Sequence, residues 1–597
     1  IRIGRAHFCI RYGRAGHGAG VRNIRQAGFF VLDVGGTRLG NFWTASALFF
    51  IGNGRRDKHQ SSIVAKHQYT DFVGYRNRTV LENSPADNQR AHWLLSIHED
   101  TNANATLFRD GLPVFAVAEE RLCRTKYAGG FPTMSVQACL DSEQLDISDV
   151  DVVLPANRHH FLPRLTRKML PTKEHDYFGA LHKSYLYLQS AMARGRAVAW
   201  ATERLSGMLL RRRFPQLAPF VDHHTAHAYS AYLTSGFEDC VAVTADNMGD
   251  GFSSKVFQCR GGLCEFQYGS TARHSPGQFY GEIAQLLGYH NLMAGKVTGL
   301  AAYGNPTPAY ALMKELFSLN EQRTHFVTPD LMWRSKKRGP YKALSTMQPK
   351  DVAAAAQKRL EDVMVEYVAN ATKALGLQDV VLAGGTFANV VVNQRIRQLP
   401  NVRNVYIHPA MTDQGISMGA GLAHLAEQGM AINKRLDSVY LGPSILESEM
   451  EAAIEEAGLP SSRPSDFAGA VAEELVAGRV VVRVDGRMEY GPRALGNRTI
   501  MYKTDDPSVN NWLNAKLNRT EFMPFAPVTL AEQALNCYED MDGGELAARY
   551  MTMTFHVTEQ MKKQSPGVVH LDGTARPQII HEEDNPEYHA ILREFFE

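Results

Sequence analysis

DHHTAHAYSAYLTSGFEDCVAVTADNMGD, residues 222–250, is the stretch around which the rest of the chain can be placed. His223 and His227 stand four apart, so in a helix both imidazoles project from one face, one turn above the other. That is a metal-ligand spacing. The residues that follow, AHAYSAYL, are mostly compatible with a helix and contain no Gly or Pro before Gly236, which closes the segment. The β-branched run CVAVTAD then reads as a strand that delivers the Asp246 carboxylate to a site edge. Two imidazoles and a hard oxygen ligand suit a divalent ion such as Fe2+, Zn2+ or Mn2+. A histidine pair alone is more often a capping or hydrogen-bonding feature, so the assignment depends on companions elsewhere.

The chain has 597 residues, 44% of them hydrophobic, enough for two or three domains with large cores. No apolar run approaches the roughly 20 residues needed to span a bilayer, and the N-terminus lacks the apolar stretch of a signal peptide. Seven cysteines without a CxxC pair read as free thiols in a reducing cytoplasm. Residues 1–92 hold 14 Lys or Arg and 5 Asp or Glu, a charge of +9, so the remainder carries +2 minus +9, or −7. A main body of that sign gives no reason to expect nucleic-acid binding.

Residues 1–92 read as an N-terminal extension of unknown role that supplies no needed strand or ligand, although FFVLDVGGTRLG within it is similar to a sugar-kinase phosphate turn. From Trp93, the runs WLLSI, NATLFRDG and LPVFAVAEERLCRTK predict three strands, with Asp110-Gly111 as the hairpin turn between the last two. This opening is similar to that of an actin-like ATPase half-domain. Asp100 and Asn102 lie in its first turn, facing phosphate or substrate, and Lys126 follows the third strand. Residues 161–213 read as an irregular insertion. Two further strands are expected around SSKVFQC and CEFQYG, then an amphipathic helix ending at Gly288 and a loop in which Lys296 could hold a phosphate.

A long amphipathic helix over 351–375 leads into DVVLAGGTFANVVVNQRI, a buried strand, the Gly384-Gly385 turn and a helix that begins near Asn389. Glycines without bulk and free N–H groups at a helix start suit nucleotide or phosphate. Beyond the next strand, Asp413 precedes a glycine-rich helix and is a candidate fourth metal ligand, matching Asp246 from the other half. A composition break at 428–445 marks a domain boundary. After it, RVVVRVDGRMEYGPRALGNRTIM places Arg487, Arg493 and Arg498 within twelve residues, and NAKLNRTEFMPFAPVTL adds Lys516 and Arg519. Guanidiniums so crowded beside apolar flanks fit phosphate or adenylate recognition.

HHTAH, LAGGTFANVVVNQRI, DQGISMGAG and above all GRMEYGPRALGNRTIM resemble the signatures of the O-carbamoyltransferase family over residues 93–597. The resemblance implies an α/β protein. An actin-like (ASKHA) domain at 93–430 would bind metal and nucleotide, and a YrdC-like α/β domain at 431–597 would handle carbamoyl phosphate and ATP. It places metal ligands at His223, His227, Asp246 and Asp413, and carbamoyl-adenylate chemistry at Arg493, Arg498, Lys516 and Arg519. Two positions depart from many relatives: Thr101-Asn102 stands where they have His-Asp, leaving the base for the acceptor unassigned, and Met523 stands where they have Arg.

The reaction so implied is ATP-dependent activation of carbamoyl phosphate to a carbamoyl adenylate, with Mg2+ accompanying ATP, and transfer to a hydroxyl of a secondary-metabolite or sugar acceptor. Iron is the first expectation for the metal, and a homodimer is compatible with this reading. Transfer to a nitrogen or sulfur acceptor, or a non-catalytic ATP-gated module, are the rival readings. The absence of CxxC pairs and of a basic main body weighs against the first, and the arginine turn against the second.

Overall fold

The computed structural model describes residues 90–157, 177–194, 196–331, 333–520 and 522–597, together with the strands Phe8–Tyr12 and Ala27–Leu32. Two sheets position the centre of the molecule, and each does so with the C-terminal ends of parallel strands. In the first, the strand order is Asn404–Ile407, Asp379–Ala383, Cys240–Gly249, Phe252–Arg260, Leu263–Thr271. Asp379–Ala383 pairs parallel with both Asn404–Ile407 and Cys240–Gly249. Its residues are buried throughout, as expected of a strand covered on both faces. The second sheet runs Leu112–Ala118, Asn104–Arg109, Trp93–His98, Val152–Ala156, with the last two strands parallel. The Asp110-Gly111 turn forms as the sequence predicts, with φ of 50° and 84°.

Between the sheets lies the helix His223–Ser235. Asp222 caps it by accepting from the Thr225 N–H at 2.9 Å and is itself held by Lys255 at 2.7 Å, and Gly236 at φ 78° ends it. The helix Ile416–Glu427 lies against it so closely that a Cβ on Gly419 would sit 1.8 Å from the Ala226 carbonyl oxygen. Pro349–Leu375 is the long helix expected from the sequence, and it presents Leu360, Val363, Met364 and Tyr367 to the core beneath the first sheet.

That core does not stop at residue 430. Tyr538, Met553, Phe555 and Ile579 belong to the same apolar cluster as Val241, Leu382 and Val405. A third sheet runs Ser461–Ser462, Phe8–Tyr12, Ala27–Leu32, Val480–Asp485, Arg498–Met501.

Four expectations change. The extension supplies two strands, one of which pairs antiparallel with the whole of Val480–Asp485; the DVGGT turn lies outside the described residues. The insertion is not irregular where it is described but forms the helices Ala180–Arg194 and Arg196–Arg211. Lys296 lies in a short helix, Gly295–Ala301, not a loop. Cys259 and Cys264 are disulfide-bonded, because the hairpin register sets them directly opposite each other, which an odd cysteine count cannot reveal. Among the described residues no helix is long and apolar enough to cross a membrane.

Candidate metal centre and arginine cluster

The strand Cys240–Gly249 loses register with its neighbour between Ala245 and Gly249, which releases Asp246 from the ladder. Asp413 opens a single 3-10 turn ahead of the helix Ile416–Glu427, and its main-chain carbonyl accepts from Asn104 Nδ2 at 2.7 Å. These two carboxylates meet the histidine helix. One ligand atom from each of His223, His227, Asp246 and Asp413 lies within 4.8 Å of the others. His227 Nε2 is 3.4 Å from Asp246 Oδ2 and 3.5 Å from Asp413 Oδ1; for His223 Nε2 the distances are 3.6 and 3.7 Å. Gly249 gives the His223 ring its space, since a Cβ there would come within 2.1 Å of it.

The four facing atoms, His223 Nε2, His227 Nε2, Asp246 Oδ2 and Asp413 Oδ1, are buried and have no hydrogen-bond partner. Bare donors of this kind, two imidazoles and two carboxylates, could hold a divalent cation. Burial alone would lower the pKa of His223, but the Asp246 and Asp413 carboxylates raise it to about 9. Burial, then the charge of Asp246, raises Asp413 to about 7. Burial would also raise Asp246, yet the two imidazoles hold it well below the usual carboxylate range. His224, beside both ligands, turns instead to Thr244 Oγ1 at 2.8 Å.

The glycine turn joins this centre. A Cβ on Gly385 would lie 2.9 Å from Asp246 Oδ1, and one on Gly384, at φ 107°, 2.2 Å from the Ala245 carbonyl oxygen. Asn389 caps the helix Val390–Arg397 and reaches Gln357 Oε1 at 2.8 Å. Asp100 accepts from the Thr101 N–H, and the Asn102 carbonyl accepts from Asn104, so this turn lies beside the Asp413 segment. Lys126 is paired with Glu120 at 2.9 Å.

The basic residues of the C-terminal part divide into two kinds. Arg487 donates to the carbonyls of Gly442, Leu441 and Val114, clamping the turn to the second sheet. Arg498 is buried and gives its terminal nitrogens to the carbonyls of Asp485, Asn497, Pro443 and Gly486. Arg493 is different: burial lowers its pKa to about 10, and no carboxylate among the described residues offsets it. Its loop is held by Glu489, which accepts from the N–H groups of Leu495, Asn497 and Arg498, each at 2.9 Å.

Beside it stands Arg576 in LDGTARPQII, which sequence reasoning passed over because it is a lone arginine after a Gly-Thr turn. Burial, then the charges of Arg493 and Arg519, hold Arg576 well below the usual arginine range. Arg519 also lies 5.5 Å over the Phe525 ring. Lys516 ends the helix Val509–Lys516. Lys296 donates to Thr520 Oγ1, so the helix Gly295–Ala301 meets the Arg519 segment. The charges of Arg493 and Arg519 beside Arg576 make the region favourable for an anion.

The fold and these two clusters define an α/β protein with a buried candidate cation centre and a candidate anion site. Comparison with known proteins places it further. The family model described as Carbamoyltransferase N-terminus matches residues 96–422, and that described as Carbamoyltransferase C-terminus matches residues 472–597. The chain belongs to the carbamoyltransferase family and is a transferase. Nodulation protein NolNO of Sinorhizobium fredii is 30% identical over 506 residues, 82% of this chain and 71% of that protein. Nodulation protein NolO of Bradyrhizobium diazoefficiens is 32% identical over 389 residues, 63% of this chain and 70% of its own length. Among solved structures, T. kodakarensis HypF is similar with a TM-score of 0.35 and 11% identity, over 57% of this chain and 49% of that one. Component A of the Acidaminococcus fermentans (R)-2-hydroxyglutaryl-CoA dehydratase gives 0.34 and 13%, over 56% of this chain and 99% of that one. Likenesses this weak bear no argument.

Proposed function

We propose that this transferase is an ATP-dependent O-carbamoyltransferase whose two clusters divide the work. Residues 93–430 form an actin-like metal- and nucleotide-binding part, and residues 431–597 a YrdC-like part that takes carbamoyl phosphate. For the atoms to balance, water takes the phosphoryl group of carbamoyl phosphate as inorganic phosphate, and an oxygen of the carbamate left behind attacks the α-phosphorus of ATP, releasing pyrophosphate. The acceptor hydroxyl oxygen then attacks the carbamoyl carbon, its proton passes to a base and AMP leaves.

The observation that carries this reading is the set Arg493, Arg519 and Arg576, positive charges brought together with no carboxylate to offset the half-buried Arg493 and Arg576. They bind the phosphate of the donor through charge-assisted hydrogen bonds. Lys296, which reaches their edge from the other part, would hold a phosphate of the nucleotide. Arg487 and Arg498 act on this site by holding its loop rather than by touching phosphate. At the other cluster, His223, His227, Asp246 and Asp413 would hold the metal, iron first among the candidates. When bound, a divalent ion there supplies a Lewis acid for a carbonyl or phosphate oxygen. The acceptor is a hydroxyl-bearing small molecule, and the Asp100–Asn102 turn lines its approach.

Exchange of labelled pyrophosphate into ATP tests the reading. It should require carbamoyl phosphate and disappear in Arg576→Ala. Exchange that is absent from the wild type, or that proceeds without carbamoyl phosphate, contradicts it.

A further inference from the structure

Asn157 follows the strand Val152–Ala156 and adopts φ 77°, a left-handed conformation that Asn tolerates better than most side chains. Its N–H donates to the Val221 carbonyl at 3.0 Å, which pins it one residue before the histidine helix cap. Its carboxamide is buried between two histidines. Asn157 Oδ1 is 2.9 Å from His223 Nδ1, and Asn157 Nδ2 is 3.3 Å from His98 Nδ1. His98, fully buried, places its Nε2 3.3 Å from the Thr101 carbonyl oxygen.

We propose that Asn157 is a positioning residue which decides the nitrogen that His223 offers to a metal, and that His98 fixes Asn157 in turn. The inference rests on the reading of the His223, His227, Asp246, Asp413 cluster as a metal centre. One end of the chain determines every proton along it. The Thr101 carbonyl only accepts, so His98 carries its hydrogen on Nε2 and leaves Nδ1 bare. A bare Nδ1 accepts from the Asn157 amide nitrogen, which turns the amide oxygen toward His223. That oxygen accepts from His223 Nδ1, so Nε2 carries the lone pair and faces Asp246 and Asp413. The opposite tautomer would point a hydrogen into the cluster and leave Asn157 Oδ1 without a donor.

His227 provides the contrast. Its Nδ1 is buried with no partner, so nothing of the kind selects its tautomer. Asn157 and His98 take no part in binding substrate in the scheme above, and neither stands near the histidine motif in sequence. They arrive because Val152–Ala156 pairs parallel with Trp93–His98, ending both strands at the centre.

The test titrates metal-free protein with Co2+, read by its visible absorption and by competition with a chelator. Asn157→Gly keeps the backbone conformation and removes the carboxamide, and it should bind Co2+ about 10- to 100-fold more weakly than wild type, the usual cost of an outer partner. Asn157→Asp retains an acceptor for His223 Nδ1 and should stay within about threefold of wild type. His98→Phe preserves a buried ring but frees the amide to turn, and it should weaken binding by at least about threefold, less than Asn157→Gly. If Asn157→Gly fails to fold, the contrast of Asn157→Asp with His98→Phe carries the test. Wild-type affinity in both Asn157→Gly and His98→Phe overturns the inference and leaves the metal centre standing. Equal Co2+ binding by wild type and His227→Ala, or none by wild type, removes the metal reading and this inference with it.

Discussion

The histidine centre and the arginine turn are both charged, both partly or wholly buried and both suggested by short motifs, yet they differ in how their donors are used. At the histidine centre all four nominated side chains converge with their facing atoms bare. In the arginine turn, two of three nominated side chains have become main-chain clamps, and the free partner of the third is a residue from 83 positions farther along, the step from Arg493 to Arg576. An imidazole pair at helical spacing has few ways to satisfy itself locally. A guanidinium has five donors and finds carbonyls readily, so its charge alone does not reveal whether it binds a ligand or the chain.

The largest effect that separates the two regions is loss of the ion. His227→Ala removes one of the four proposed ligands, and metal affinity should fall by more than about 100-fold, above the cost of losing an outer partner. Elemental analysis of purified protein measures it. Pyrophosphate exchange should survive, because the arginine cluster is untouched. Undiminished metal in both His223→Ala and His227→Ala would remove one side of the comparison.

Next in size is the contrast among the arginines themselves. Each charge-assisted hydrogen bond contributes about 1.5–3 kcal/mol, so Arg493→Ala and Arg576→Ala should each weaken carbamoyl phosphate binding about 10- to 100-fold at unchanged melting temperature. Arg498→Ala should act the other way, lowering the melting temperature because four carbonyls each lose one donor. Calorimetry of binding and of unfolding reads both. If Arg498→Ala weakens binding while stability holds, the clamp and the receptor have been assigned the wrong way round.

How much of this could be read from sequence follows the same division. His223, His227 and Asp246 are local features: a helical repeat and the end of a β-branched run. Asp413 announces itself by standing before a glycine-rich helix. Asn157 and His98 carry no such mark, since their partners lie 66 and 59 residues away and the parallel strand pairing alone unites them. Arg487 and Arg498 mislead because the carbonyls they meet are invisible in a string of side chains. Cys259 and Cys264 mislead because counting thiols ignores the register that sets two of them opposite each other. The two strands of the extension pair with residues beyond position 460, a separation no pattern of neighbours spans.

A smaller effect comes from protons. In the metal-free cluster His223 is raised to about 9 and Asp413 to about 7, so both are stabilised as acids in the folded chain. Such stabilisation is complete below their unfolded values and is lost as pH rises through about 7 and then about 9. An ion needs both groups bare, so binding releases about two protons below pH 7 and about one between 7 and 9. Affinity should therefore rise with pH, by about tenfold per unit for each proton released, and more steeply below pH 7. Carbamoyl phosphate binding at the arginines should not share the break near 7. Co2+ titrations at several pH values measure this, and affinity that is flat from pH 6 to 8 contradicts it.

The smallest effect probes whether the two regions are stabilised together. The strand Ala27–Leu32 is hydrogen-bonded along Val480–Asp485, and the third sheet joins the arginine turn through Arg498–Met501. The proposed metal ligands come from the helix His223–Ser235, the strand Cys240–Gly249 and the 3-10 turn Asp413–Gly415. A chain beginning at Ala91 would leave Val480–Asp485 paired on one side only, with its freed N–H and C=O groups turned to water. Because lost hydrogen bonds are largely replaced by water and the departing strand regains chain entropy, the expected loss is modest, about 1–3 kcal/mol. Thermal unfolding should show it, while Co2+ affinity stays at the full-length value. An unchanged melting temperature would mean that this strand pairing adds nothing to stability. A fall in Co2+ affinity on truncation would instead mean that the third sheet and the histidine centre are mechanically one unit, and the separation between the two regions would not hold.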